Sequence, residues 1–198
     1  HYVFSVIPVD AQKDSITAST LLGIDVIIVV TNLLLSLRGS GWIAKDSGLR
    51  FVATSTVFYL IVSMQGSLQS QMAVNQSVHF TDWVVGHAHL AMLGFASFAA
   101  TGGLVHAWQR IPWSRFHPGI VNMGYWLMAA GVAIMFVDLT IAGLIEASQW
   151  SSGAPWIESI RAAKPWWIIR ILTFIPIAGG FFFVLVGLFA GQPGDGLK

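Results

Sequence analysis

From Ile120 to Ile145 the chain carries one charged side chain, Asp138, in an otherwise nearly continuous apolar run. Inside hydrocarbon no water is available to the backbone, so a run of this kind must satisfy its own N–H and C=O groups, which a helix does. About 20 residues suffice to cross the hydrocarbon core of a bilayer. Four further stretches meet that requirement: Ile16 to Leu37, Leu49 to Ser67, Thr81 to Trp108 and Pro165 to Ala190. The sequence therefore predicts an all-α integral membrane protein with five transmembrane helices. Residues 1–198 read as a single membrane domain, with no soluble domain and no internal repeat.

Composition narrows the partners. Only 10% of residues are charged, against about 25% in a soluble domain. Nine Trp and thirteen Phe suit aromatic belts at the two interfaces of a lipid bilayer. A net charge of +1 gives no reason to expect a nucleic-acid partner. The absence of cysteine excludes disulfides, thiolate metal sites and thioether attachment of haem within the chain. The chain starts at His1 without a Met and reads as a truncated or processed piece of a larger subunit.

The connections set the orientation. His1 to Ser15 reads as a short non-helical lead-in, Arg38 to Gly48 as a polar loop and Val74 to Phe80 as a connector. Gln109 to Gly119 and Glu146 to Lys164 read as loops, and the C-terminal tail as frayed. Alternate loops place Arg38, Lys45, Arg50, Arg110, Arg115 and Lys198 on one side, and Lys13, Arg161 and Lys164 on the other. The positive-inside rule puts the first group, and with it the C-terminus, in the cytoplasm. His79 then lies on the outer side, with His87 and His89 a few turns in from it.

Those two histidines are the chemically distinctive feature. At ~100° per residue, positions two apart on a helix point roughly 200° away from each other. They cannot share one metal ion, but each can serve a different centre. A single membrane histidine is commonly an interhelical hydrogen-bonder; two on opposite faces demand polar partners on both sides. Small residues around them (Gly86, Ala88, Ala91, Gly94, Ala96) leave room for a bulky flat group, and haem iron accepts axial imidazole. Asp25, with Thr17, Ser19, Thr20 and Thr31, could line a proton path in the first span or simply bond between helices. Asp138 and Glu146 could lie near a second path or an interface. His106 and His117 read as interfacial residues rather than ligands. Trp108, Trp113, Trp126, Trp150, Trp156, Trp166 and Trp167 read as belt anchors.

The run HFTDWVVGHAH, His79 to His89, closely resembles the tenth-helix signature of the catalytic subunit of C-family (cbb3-type) haem–copper oxidases. Phe58–Tyr59, Gln65–Gly66 and Ala73 to Asn75 keep the same register upstream, and Trp166 with Arg170 resembles the opening of the last helix. The resemblance covers nearly all of the chain and corresponds to helices eight to twelve of a twelve-helix subunit.

It implies His87 as proximal ligand of a high-spin haem b and His89 as one axial ligand of a low-spin haem b. His1 would be a copper ligand, His79 and Asp82 would lie near haem propionates, and Arg170 would pair with a propionate or a lipid phosphate. The implied activity is reduction of dioxygen to water at a haem–copper centre, coupled to proton translocation across the bacterial inner (cytoplasmic) membrane. Gln65 stands where the family usually has a glutamate that reaches the proximal histidine. The remaining ligands would come from helices before His1, so the implied partners are the N-terminal half of the subunit and c-type cytochrome subunits as electron donors. A related reading is a nitric oxide reductase with non-haem iron in place of copper. Two others are a non-catalytic haem or assembly subunit and a transporter with a histidine relay.

Overall fold

The computed structural model describes residues 4–38 and 46–191. His1, Lys45 and Lys198, with the expectations attached to them and to the C-terminal tail, lie outside the described residues. The described residues form α1 (Val9–Leu37), α2 (Ser47–Ser70), a short α3 (Met72–Val78), α4 (Asp82–Trp108), α5 (Pro118–Ser151) and α6 (Trp156–Phe189). All but α3 are long and apolar enough to cross a membrane, so the fold is the all-α membrane bundle that the hydropathy predicted.

The ends differ from the apolar runs. α1 starts at Val9, directly after Pro8, so the supposed non-helical lead-in is helical from Val9 onward. α5 continues through Glu146 to Ser151, and α6 starts at Trp156 after Pro155, so the loop expected from Glu146 to Lys164 shrinks to a tight turn around Gly153. Hydropathy marks the part of a helix that sits in hydrocarbon. The i→i−4 ladder continues into the headgroup region wherever nothing breaks it, and 34 residues at ~1.5 Å each far exceed the ~30 Å core. Pro165 and Pro176 lie inside α6; proline is tolerated in membrane helices when neighbouring groups satisfy the freed carbonyls.

Small residues set the helix contacts, as expected where lipid is as apolar as the side chains. Gly124 and Gly180 bring α5 and α6 together, and a Cβ on Gly124 would meet the Gly180 carbonyl at 2.7 Å. Phe51, Phe98 and Tyr125 join α2, α4 and α5, with ring centroids 5.3 and 5.1 Å apart about Phe51. α1 buries only Gly23, Val26 and Val30, and Asp25 sits on its exposed side. Thr17 and Thr20 return hydrogen bonds to Lys13 O and Ile16 O in the preceding turn.

At one end of the bundle Asp46 caps α2. It accepts the Leu49 N–H at 3.0 Å, His106 Nδ1 lies at 2.8 Å and Arg110 at 3.3 Å. Burial pushes the Asp46 carboxyl up, but the Leu49 amide, His106 and Arg110 outweigh it and hold it below the usual carboxylate range. A carboxyl whose folded value lies below its unfolded value stabilises above the unfolded value, and that stability disappears as pH falls through the folded one. Asp46→Ala is therefore expected to cost about 1 kcal/mol at neutral pH and to remove part of the acid-induced loss below about pH 4. Thermal midpoints of the purified protein against pH check this; identical acid limbs in both proteins would contradict it.

Candidate functional site

α4 is anchored at its N-terminal end before it reaches the histidines. The Thr81 hydroxyl accepts the Trp83 N–H at 3.3 Å, and Glu146 Oε2, reaching over from α5, accepts the Asp82 N–H at 2.7 Å. A carboxylate on the first amide of a helix satisfies an orphan donor and complements the helix dipole. One turn earlier on α5 than Glu146, Gly143 lies against the Trp83 backbone, where a Cβ would collide with Trp83 N. Gly86 then faces Leu139, whose Cβ would be 3.0 Å from a Cβ added there. Gly143→Val would wedge α4 from α5 and is expected to cost at least the 1–3 kcal/mol typical of overpacking, about 2 kcal/mol. The readout is the yield of folded protein after detergent extraction; wild-type yield and thermal midpoint would show that the contact is unimportant.

His87 and His89 follow, both half-buried, and they open to different cavities. His87 lines a space of about 230 Å³ between α1, α2 and α4, with Ser19, Tyr59, Gly66, Ala91 and Phe95. His89 lines a space of about 790 Å³ between α4, α5 and α6, with Leu93, Met135, Arg170, Phe174 and Phe181. The helix is thus a wall with one imidazole on each side. Directly after His89 the helix widens into a π segment, Leu90–Ala96, with the Ser97 hydroxyl donating to Met92 O at 2.8 Å. A π turn takes more residues than the 3.6 of an α turn. Positions four apart therefore stay aligned: Ala91 and Phe95 remain with His87, and Leu93 with His89. Ala88, Met92, Ala96 and Ala100 form an exposed stripe between the two sides. Of the small residues expected to leave room, Ala91 lines the His87 cavity, whereas Ala88 and Ala96 lie on the exposed stripe. Gly86 and Gly94 serve helix packing instead, Gly94 against Phe58 and Leu90.

The two imidazoles are held differently. His89 Nδ1 lies 2.8 Å from Val85 O; with Nδ1–H donating to that carbonyl, the Nε2 lone pair is free for a metal. His87 Nδ1 is buried and has no hydrogen-bond partner among the described residues. Neither Nε2 nor Oε1 of Gln65 has one either, although the side chain is only 6% exposed, so no interhelical hydrogen bond accounts for it. Tyr59 stacks on Phe95 at 4.5 Å across the His87 cavity.

Asp82 and Arg170 come together. Asp82 Oδ1 is 3.9 Å from the Arg170 guanidinium, which also lines the His89 cavity. Trp167 Nε1 donates to Asp82 Oδ2 at 2.6 Å, so Trp167 is a buttress of this cluster rather than a belt anchor. Trp108 likewise is bonded, to Leu188 O and Arg115 O. Trp113, Trp126 and Trp156 are exposed, as belt residues would be. His79 does not join the cluster directly: its ring packs on Phe80 at 4.0 Å and faces Phe4. Phe80 adopts φ 64°, a left-handed turn unusual for a bulky residue. His106 is engaged by Asp46, and His117 accepts the Ile120 N–H as the cap of α5. Among the described residues no three His, Cys, Asp or Glu side chains converge as a metal site. Sequence reading missed Glu146 as a cap; its signal was the eight-residue step from Asp138, which keeps both on one broad side of a helix.

A five-span bundle whose central helix presents an imidazole to each of two cavities defines a polytopic membrane protein with two separate candidate sites on one helix. Comparison with known proteins specifies the family. The family described as cytochrome c and quinol oxidase polypeptide I matches residues 1–175, and the chain belongs to it. It is 27% identical over 95% of its length to a cytochrome c oxidase subunit 1 homolog, bacteroid, of Bradyrhizobium diazoefficiens, covering 35% of that protein. It is 26% identical over 77% of its length to the cbb3-type cytochrome c oxidase subunit CcoN1 of Stutzerimonas stutzeri, covering 33% of it. A cytochrome c oxidase subunit 1 homolog of Agrobacterium tumefaciens is 27% identical over 87% of the chain and covered to 34%. The chain spans about a third of the length of the curated relatives it matches.

Proposed function

We propose that the chain is the C-terminal part of the catalytic subunit of a bacterial respiratory terminal oxidase that reduces dioxygen to water and couples this to proton translocation. The observation that carries the reading is the pair of imidazoles two residues apart on one helix, each lining its own cavity. His87 would hold a high-spin haem b and His89 a low-spin haem b. The donor set fits: the imidazoles are half-buried, and the carbonyl at Val85 fixes the His89 tautomer that leaves Nε2 available. When bound, the high-spin haem with a facing copper supplies the redox chemistry on dioxygen.

The chain's own residues position and insulate. α4 sets the two cavities a helix diameter apart, and the Tyr59–Phe95 stack limits water beside His87. Arg170, oriented by Asp82, offers a cation at the edge of the His89 cavity for an acidic substituent of the bound group. The N-terminal part of the subunit, with His1 as one copper ligand, would close both cavities, and c-type cytochrome subunits would deliver electrons from the outer side. The Arg-rich end that carries Asp46 and Arg110 would face the cytoplasm, as would the C-terminus, in a bacterial inner membrane.

Gln65 gives this protein its own character. A carboxylate partner makes an imidazole a stronger donor; a neutral amide does so far less. Gln65→Glu is expected to lower the midpoint potential of the high-spin haem in a redox titration of the assembled complex, and unchanged midpoints would remove Gln65 from the site's electronics.

The function itself is tested on the purified complex by metal analysis with oxygen and nitric oxide consumption measured side by side. Copper together with haem iron, and oxygen consumption, is expected. Extra iron without copper, with nitric oxide as the consumed gas, would overturn the oxidase reading.

A further inference from the structure

Beyond Gln65, the buried amides of α2 and α3 have no role in the site described so far. Phe58, Val62, Gln65 and Gln69 recur at helical spacing on α2 and are all buried, so an apolar stripe turns into an amide stripe toward the end of the helix. The stripe faces α4: Phe58 lies against Gly94 there, and a Cβ added to Gly94 would meet its ring at 3.1 Å. Gly48 lies against His106 and Gly102 against Val52, so the two helices run antiparallel in a fixed register. Seven residues on from Phe58 is Gln65, and seven back from Gly94 is His87. One turn further, Gln69 comes level with Trp83. Asn75 of α3 continues the series by donating its Nδ2–H to Gln69 O at 2.9 Å. Val62 and Gly66, neighbours of Gln65 on α2, line the His87 cavity.

Both ends of the Gln65 amide, Gln69 Oε1, Asn75 Oδ1, Trp83 Nε1 and His87 Nδ1 are buried without a hydrogen-bond partner among the described residues. The three amide side chains are deeply enclosed, Gln65 and Gln69 at 6% exposure and Asn75 at 3%. Buried polar groups are nearly always satisfied, by protein or by ordered water, and a buried water typically makes about three hydrogen bonds. The chemistry of the series selects the occupant. It offers donors and acceptors together and no charge: Arg50 sits at the opposite end of α2, α3 has no charged side chain, and Asp82 is engaged by Trp167 and Arg170. A cation would find no counter-charge and would face amide N–H groups, whereas water serves both kinds of partner. We infer that Gln65, Gln69 and Asn75 hold a short file of internal waters that reaches His87, and that through it Gln69 and Asn75 are positioning residues for the His87 imidazole. The indole N–H of Trp83 donates to the same file. A water accepting from His87 Nδ1–H fixes the tautomer that leaves Nε2 available, the part that the Val85 carbonyl plays for His89. The two imidazoles of one helix are thus oriented by different means, one by backbone and one by amide-held water.

The positioning role rests on His87 holding the high-spin haem, and the test separates the two. High-resolution cryo-electron microscopy of the assembled complex is expected to show ordered solvent density within hydrogen-bond distance of at least two of the three amides. Resonance Raman spectra of the reduced complex read the iron–histidine stretch. Gln69→Leu should lose the density beside it and lower the stretching frequency, because an imidazole with a weaker partner is a weaker donor, with haem content unchanged. Asn75→Leu supplies a second amide-free variant if the first assembles poorly. Gln69→Asn keeps an amide and should keep the density and a frequency near that of wild type, which a role in packing alone would not predict. Wild-type density without solvent at the amides overturns the water file. Density lost with the frequency unchanged in the amide-free variants overturns the positioning role alone. A wild-type complex with the solvent density but without a high-spin haem signal overturns the reading of His87 and the positioning role with it, while the water file stands.

Discussion

His87→Ala in the assembled complex is expected to abolish turnover while the low-spin haem remains spectroscopically present. The reason lies in the geometry of α4. His87 and His89 point into separate cavities, and nothing in the His89 cavity depends on the His87 side chain. Removing an outer-shell partner of a metal ligand already costs roughly 10–100-fold in affinity or activity, so loss of the ligand itself should exceed that. The substitution also opens space in a wall shared with Tyr59 and Phe95, but their stack and the α4 contacts at Gly86 and Gly143 hold the helix in place. Oxygen consumption and the reduced-minus-oxidised spectrum, recorded on one preparation, check the result. Turnover within a few-fold of wild type would remove His87 from the catalytic centre.

His89→Ala is expected to give the converse phenotype. The high-spin haem stays, but electrons no longer reach it from the physiological donor, so steady-state turnover falls by more than about 100-fold. Val85 O would lose its imidazole partner, a minor structural change on a helix whose remaining ladder is intact. Arg170 and Asp82 would keep their ion pair, since neither touches His89 directly by hydrogen bond. Single-turnover mixing with a reductant separates the steps: slow reduction with normal gas reactivity of the prereduced complex is the expected pattern. Normal reduction kinetics would contradict it.

The architecture was legible because the membrane imposes one dominant rule. Runs such as Ile120 to Ile145 had to be helices, and the five runs are the five spans. Their ends were not legible, because hydropathy reports where hydrocarbon stops and not where the backbone ladder stops. Glu146 and Trp156 illustrate this: both looked like loop residues and both are helical. The two-sided histidine helix was legible because an i, i+2 spacing fixes directions on any helix. The rest of the site depends on contacts between distant segments, which one sequence does not display. Trp167 reaches Asp82 across 85 residues, Glu146 caps α4 from another helix, and Gly86 turned out to face Leu139 rather than open space. The π segment after His89 has no single-residue signature, and it decides which side chains stay in line with each imidazole.

The central claim is that the two histidines of one helix hold two different haems. Magnetic circular dichroism and visible spectra of the reduced assembled complex, compared for wild type, His87→Ala and His89→Ala, test it most directly. Wild type should show one high-spin and one low-spin haem, His87→Ala should lose only the high-spin signal and His89→Ala only the low-spin signal. Loss of the same signal in both variants, or of neither, would contradict the claim.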